Sequence, residues 1–106
     1  MEAAVIMTTV STGEEARALT TDLLERRLAA CVQEISITSR YRWEGSLAEQ
    51  PERMLFLKTT TDRAPEAMAR IEEIHPYEVP EVMVVETTAA APYLAWLNAE
   101  TLPQGS

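Results

Sequence analysis

Strand-like and helix-like segments alternate along this chain in the order β-α-β-β-α-β, and this order restricts the fold more than any other feature. Ala3 to Thr9 predicts a strand, because the segment is rich in β-branched and apolar residues. Thr12 and Glu15 have the spacing of a capping box, and apolar residues at helical spacing behind them predict an amphipathic helix that ends near Ala30. The next two predicted strands are Cys31 to Trp43 and Glu52 to Thr61.

Proline and glycine divide the two middle strands. Glu44 to Ser46 predicts the turn or bulge of a hairpin. Pro51 is predicted to precede the second strand, because proline can begin a strand but has no N–H with which to continue a central one.

The second half of the chain predicts a helix, a strand and a short final helix. Asp62 is the predicted cap of the second helix, with Pro65 in its first turn. This helix should end before His75, because Pro76 disfavours helix in the residue that precedes it. The last elements are a strand from Glu81 to Thr87 and a helix opened by Pro92. The order predicts one α+β domain, residues 1–106, with a ferredoxin-like βαββαβ antiparallel sheet and an extra C-terminal helix.

Three of the predicted strands are apolar at consecutive positions. An antiparallel sheet with one solvated face should alternate apolar and polar residues, so these strands predict a sheet that is apolar on both faces. Two helices cover one face only, and the simplest cover for the other is a second copy of the chain. The alternative is that the C-terminal helix wraps underneath, although about ten residues of helix cover only part of a sheet. The apolar runs are Val5 to Met7, Met54 to Leu57 and Val82 to Val85.

Composition excludes several classes of partner. The net charge is −8, from 9 basic and 17 acidic residues, which argues against binding to nucleic acid because phosphates require Lys and Arg. No apolar run is long enough to span a membrane, and Met1 leads into a short apolar run without a basic leader. The cytoplasm is therefore the expected compartment, with no membrane partner.

Few side chains could support chemistry, so no enzymatic activity is expected. The chain has one His and one Cys, which excludes a conventional zinc cage within one chain, and Cys31 is interpreted as a packing residue. His75 has two interpretations. It could cap a helix C-terminus as a charged imidazole, or it could bind a transition metal such as copper together with its symmetry copies or with Glu78 or Glu81.

Other candidates lie in the loop after the second helix and in the most apolar strand. Pro76 and Pro80 stiffen the segment around Tyr77, which is either the wall of a site or a crossover into the last strand. Lys58 either extends from the rim of the sheet into solvent or binds an anion. Several aromatic residues are interpreted as subunit contacts. The candidates are Tyr41, Trp43, Tyr77, Tyr93 and Trp96.

Five motifs in this order resemble the CutA divalent-cation tolerance family over nearly the whole chain. The resemblance implies a ferredoxin-like fold, a PII-like homotrimer in which edge strands of neighbouring subunits pair, and tolerance to divalent metal ions, above all copper (Cu²⁺), without enzymatic activity. The motifs are Leu28-Ala29-Ala30-Cys31-Val32, Tyr41-x-Trp43-x-Gly45, Lys58-Thr59, His75-Pro76-Tyr77-x-Val79-Pro80-Glu81 and Tyr93-Leu94-x-Trp96-Leu97.

The metal ligands of this family carry over at His75 alone. A family cysteine in the first strand corresponds to Thr8, and a second histidine found in some members corresponds to Ile74. Two further interpretations stay open beside copper binding. One is a PII-like regulatory module that binds a small anionic ligand in intersubunit clefts, and the other is a trimeric scaffold for a protein partner. The residues assigned to the cleft of the regulatory module are Lys58, Tyr77 and Glu81.

Overall fold

The computed structural model describes residues 2–103, and their elements follow the predicted order. The extra helix at the C-terminus begins with a proline in its first turn, as expected. The bounds are β1 Ala3–Val10, α1 Gly13–Glu25, β2 Cys31–Trp43, β3 Ser46–Thr60, α2 Ala64–Ile74, β4 Met83–Thr87 and α3 Ala91–Glu100.

The strands form one antiparallel sheet in the order β2-β3-β1-β4. β1 lies between β3 and β4, so that Ile6 faces Leu57 on one side and Val84 on the other. This is the predicted α+β, ferredoxin-like arrangement, and the fold prediction is confirmed.

The core lies between the sheet and the helices α1 and α2. Ile6, Leu55 and Leu57 point from the sheet into this layer and have no exposed surface. The helices contribute apolar side chains at the predicted spacing, and burial of each large one is worth about 1.5–3 kcal/mol. The buried helix residues are Ala16, Leu19, Leu23, Ala64, Ala67 and Ile71.

An ion pair joins the outer surfaces of the two helices. Arg70 on α2 donates from Nε and Nη2 to the two carboxylate oxygens of Asp22 on α1, at 2.9 and 2.7 Å. The hydrogen bonds from Arg70 hold the pKa of Asp22 below its usual value. The two parallel bonds make this contact between the helices geometrically specific.

The capping box of α1 is confirmed, but the predicted end of this helix near Ala30 is wrong. Thr12 accepts from the N–H of Glu15, whose side chain accepts from the N–H of Thr12. The helix ends at Glu25 because Arg27 takes a left-handed conformation with φ of 58°. The N–H of Leu28 then returns to the carbonyl of Leu23, which is a Schellman closure with arginine in the usual glycine position.

The predicted start of the third strand is also wrong, because β3 begins at Ser46 and runs through Pro51. The pairing of β1 with β3 ends at Val10 and Arg53, so β3 has a neighbour on one side only at Pro51. Proline has no N–H, and it is tolerated there because the side of β3 without a neighbouring strand forms no ladder hydrogen bond that proline would remove.

Two smaller boundaries differ from the predictions as well. The N-cap of α2 is Arg63 and not Asp62, and no side chain accepts from the first turn. β4 begins at Met83, not at Glu81, because its pairing with β1 starts at Met7 opposite Met83. Glu81 therefore belongs to the loop that precedes the strand.

The β2–β3 hairpin projects beyond the rest of the sheet. From Ile37 opposite Glu52 to Trp43 opposite Ser46, no third strand lies beside it within residues 2–103. The connection is a two-residue turn in which Glu44 and Gly45 have φ of 50° and 81°, and such a turn matches the twist of the two strands. The projection gives the molecule its longest dimension of 46 Å.

The second face of the sheet is only partly covered within one chain. α3 packs against β3 and buries Leu97, so the C-terminal helix covers one end of this face. Ile35, Met83 and Val85 stay 51%, 54% and 49% exposed. The expected second apolar face is present, and the helix is too short to cover it.

Removal of a buried hydroxyl without a hydrogen bond should stabilise the fold. Thr8 has no exposed surface and its Oγ1 has no partner within residues 2–103, so Thr8→Val should raise the free energy of unfolding by about 1 kcal/mol. Urea denaturation at fixed protein concentration measures this change, with Thr38→Val on the exposed side of β2 as the control. A loss of stability in Thr8→Val would contradict the assignment of an unsatisfied hydroxyl.

Candidate functional site

A cleft of about 580 Å³ lies between the projecting hairpin and the loop that follows α2. The hairpin contributes side chains from both of its strands, and the loop contributes the motif between the two prolines. β1 closes the end of the cleft with Thr9. Its aromatic and acidic lining residues are Tyr41, Trp43, Glu52, Tyr77, Glu78 and Glu81.

A chain of three side chains forms one wall of the cleft. The hydroxyl of Tyr77 donates to Glu52 Oε2 at 2.6 Å, and Ser11 Oγ lies 2.7 Å from the same hydroxyl. Because the Tyr77 proton is used on Glu52, Ser11 is the donor of the second bond. Burial, followed by the bond to Glu52, raises the pKa of Tyr77 to about 12, so the phenol keeps its proton at neutral pH.

The strand register places Glu52 at the base of the cleft. It lies one residue before Arg53, which is the first residue of β3 that pairs with β1. Glu52 is 7% exposed, which is unusual for a carboxylate. The hydroxyl of Tyr77 is the single donor to Glu52 within residues 2–103, and it binds one of the two oxygens.

His75 anchors the loop through both of its ring nitrogens. Nδ1 accepts from the N–H of Tyr77 at 3.0 Å, so Nε2 carries the proton and donates to the carbonyl of Thr9 at 2.8 Å. Burial lowers the pKa of His75, and the neutral ring is the form that this pair of bonds requires. His75 is the C-cap residue of α2, as one interpretation predicted, but its ring bonds to Thr9 and Tyr77 in the neutral form instead of acting as a charged cap.

The residues of one chain do not by themselves fit a copper cage. Both nitrogens of His75 are engaged, and Thr8 presents a fully buried hydroxyl at the position of the family cysteine. No group of three or more His, Cys, Asp or Glu side chains that could hold a metal ion occurs in the part of the chain that the structure describes. Any coordination at His75 would need further ligands from outside this set.

Of the three predicted cleft residues, the structure brings two together. Tyr77 and Glu81 line the same cleft. Lys58 lies opposite Cys31 and Val5, six residues along β3 from Glu52, which is about 20 Å at the rise of a strand. Within one chain, Lys58 is therefore separate from the cleft.

Glu52 and Ser11 belong to the site although the sequence did not predict them. The available signal was a glutamate at the start of the most apolar strand, where an acidic side chain would be expected to face solvent. Its burial depends on the loop after α2 folding back over β3, which no local pattern predicts.

The charge of the cleft is negative. Arg40, which also lines it, forms an ion pair at 2.8 Å with Glu49 across the hairpin. No ion pair in residues 2–103 includes Glu52, Glu78 or Glu81. The arrangement favours a positively charged ligand, not the anionic ligand expected for a PII-like module.

The fold and the motifs agree with comparisons to known proteins. The model of the family described as "CutA1 divalent ion tolerance protein" matches residues 4–100. The divalent-cation tolerance protein CutA of Thermus thermophilus is 40% identical over 99 residues, which cover 92% of this chain and 96% of that protein. The crystal structure of CutA1 from Ehrlichia chaffeensis superposes with a TM-score of 0.90 at 35% identity, covering 94% and 95% of the two chains. The family resemblance is confirmed, and the family is named for ion tolerance and not for a reaction, as expected for a protein that is not an enzyme.

The cellular compartment stays a prediction. No helix in residues 2–103 is both long and apolar enough to cross a bilayer. The CutA structure from Archaeoglobus fulgidus, with a TM-score of 0.91 at 27% identity over 94% of this chain and 99% of that one, is described as periplasmic.

Loss of the Tyr77 hydroxyl should destabilise the cleft wall. Tyr77→Phe leaves the carboxylate of Glu52, a residue that is 7% exposed, without its donor, and the free energy of unfolding should fall by about 1–3 kcal/mol. Tyr93→Phe is the matched control, since no hydrogen bond of the Tyr93 hydroxyl occurs in the described chain. Thermal denaturation of both variants measures the difference, and equal melting temperatures would contradict a structural role for the bond.

Proposed function

This chain belongs to the CutA1 divalent ion tolerance family, and on that premise we propose that it acts in divalent-cation tolerance as a homotrimer with copper as its ion. The observation that carries the assembly is the apolar face of the sheet that one chain leaves open. The proposed partners are two further copies of the chain and divalent metal ions. The cytoplasm is the proposed compartment.

The open face is continuous across three strands. Met7 lies between Phe56 of β3 and Met83 of β4, and the neighbouring row joins Val5 to Val85. Met83 and Val85 are about half exposed, on the side away from α1 and α2. A contiguous apolar patch of this kind supports association with another protein surface, and identical copies are the simplest source of a complementary one.

The projecting hairpin supports the same proposal. A two-stranded ribbon is marginally stable alone in water, yet this one leaves Leu47 79% exposed. β2 and β4 are the outer strands of the sheet, so each leaves one edge of backbone groups unpaired within the described chain. Pairing of these edges between neighbouring subunits would complete the hydrogen-bond ladders. The proposed number of subunits, three, is taken from the family resemblance.

Copper is the proposed ion because of the family resemblance, and His75 is the proposed ligand. Coordination at Nδ1 would replace the bond from the N–H of Tyr77, and the protonated Nε2 could keep its bond to Thr9. One imidazole without the family cysteine makes a weak site, and copies related by symmetry would have to contribute the remaining ligands. We therefore expect the assembled protein to bind copper weakly and exchangeably.

A module for small ligands is the second candidate, and the cleft of about 580 Å³ favours it. The volume lies in the usual range of ligand sites. Tyr77 and Glu81 would contribute to such a site, as the sequence predicted. The negative lining changes the expected class of ligand from anion to cation.

Light scattering should give three times the chain mass of 11.8 kDa at micromolar concentration. Met83→Glu should shift the protein toward monomer, because the carboxylate would be buried against an apolar surface in the assembly. Leu24→Glu on the exposed side of α1 is the matched control and should leave the mass unchanged. A wild type that is monomeric would contradict the proposal.

A copper titration against a competing chelator at neutral pH should give binding weaker than micromolar that depends on His75. His75→Ala should abolish it, and His75→Asn should do the same while keeping a hydrogen-bonding side chain in the loop. Glu72→Gln on α2 serves as the control for surface charge. Binding that is unchanged in both His75 variants would show that copper does not use this residue.

A further inference from the structure

We propose that the cleft binds an aliphatic amine with two or more positive charges, with the Glu52 carboxylate as its buried counter-ion. The inference goes beyond the proposed metal function, because it uses the cleft side chains and does not require metal at His75. Its basis is the hydrogen bonding of Glu52, the fixed position of Tyr77, the balance of charge and the aromatic walls.

The first step is the incomplete bonding of Glu52. Glu52 as a whole residue is 7% exposed, and Tyr77 binds its Oε2 only. Oε1 has no partner within residues 2–103 and lies at the wall of the cleft that Glu52 lines. A carboxylate of a largely buried residue with one hydrogen bond and no cation can accept further bonds, and an ammonium group would supply both charge and donors.

The second step is that the wall is held in position without a ligand. Ser11 fixes the hydroxyl of Tyr77, and His75 fixes its backbone N–H. The rings of His75 and Tyr77 also contact edge to face, with centroids 4.8 Å apart. A ligand therefore meets a carboxylate whose position is already set, which lowers the entropic cost of binding.

The third step is the balance of charge in the cleft. Three carboxylates line it, and its one cationic side chain, Arg40, is already paired with Glu49. An inorganic ion would need several of these oxygens within one coordination shell, and the described chain has no such group. Separated carboxylates instead match an organic chain with separated charges. The three are Glu52, Glu78 and Glu81.

The fourth step is the apolar lining between the carboxylates. Tyr41 and Trp43 contribute aromatic surface from the hairpin, and Tyr77 contributes it from the loop. Aromatic faces attract ammonium groups and also accommodate the methylene groups between them. A site built for inorganic cations would not need these walls.

The test is isothermal titration calorimetry of the assembled protein with spermidine at about 0.15 M salt, where exposed charges beyond about 8 Å are screened. The expected result is saturable binding with one site per chain. Glu52→Gln, which keeps an acceptor for Tyr77, should weaken it at least about tenfold, as expected for loss of a buried charge pair. Glu72→Gln on α2 changes the net charge equally and should not weaken it.

Ligand analogues separate the contributions of charge and of apolar contact. Butylamine, with one charge, should bind more weakly than spermidine, and 1,6-hexanediol should not bind. Equal weakening by Glu52→Gln and Glu72→Gln would overturn the proposal in favour of general attraction to an acidic surface. The absence of saturable spermidine binding would overturn it as well.

Discussion

The four strands form a sheet that is apolar on both faces, and the helices of one chain cover one of them. This constraint governs the rest of the molecule. β1, in the centre, sends Ile6 into the helical core and Met7 to the open face, so neither row can be made polar without loss of packing. α3 is too short to cover the open face, and Met83 remains half exposed. The open apolar face is thus a consequence of how the core is built, and it is the basis of the proposed homotrimer.

The same sheet sets the position of the cleft. β3 is long enough to contribute to both the core and the projecting hairpin. Glu52 lies next to the point where the pairing of β1 with β3 ends. The loop after α2 folds over this point because His75 bonds to the carbonyl of Thr9 on β1. One neutral imidazole therefore connects the end of a helix, the central strand and the wall of the cleft.

The geometry distinguishes two ways of binding a cation. Metal coordination needs several donors in one shell, and the side chains of one described chain offer no such group. The cleft instead offers carboxylates spaced around aromatic surface, with Glu52 least accessible to solvent and Tyr77 held as a neutral phenol. The proposed binding of an organic cation would accordingly use a chemistry distinct from that of copper. The two activities would use neighbouring but different atoms, the ring of His75 and the carboxylate of Glu52.

The sequence by itself determined the element order, the fold class, the capping box of Thr12 and Glu15, and the end of α2 before Pro76, because each depends on contacts within a few residues. It also determined that the sheet would have a second apolar face. The tertiary structure decided the rest. Arg27 ends α1 in a conformation that residue type does not indicate, and Pro51 lies inside β3 because β1 has already ended there. The bond of His75 to Thr9 and the bond of Tyr77 to Glu52 join residues 66 and 25 positions apart, and local patterns carry no information about contacts at that separation.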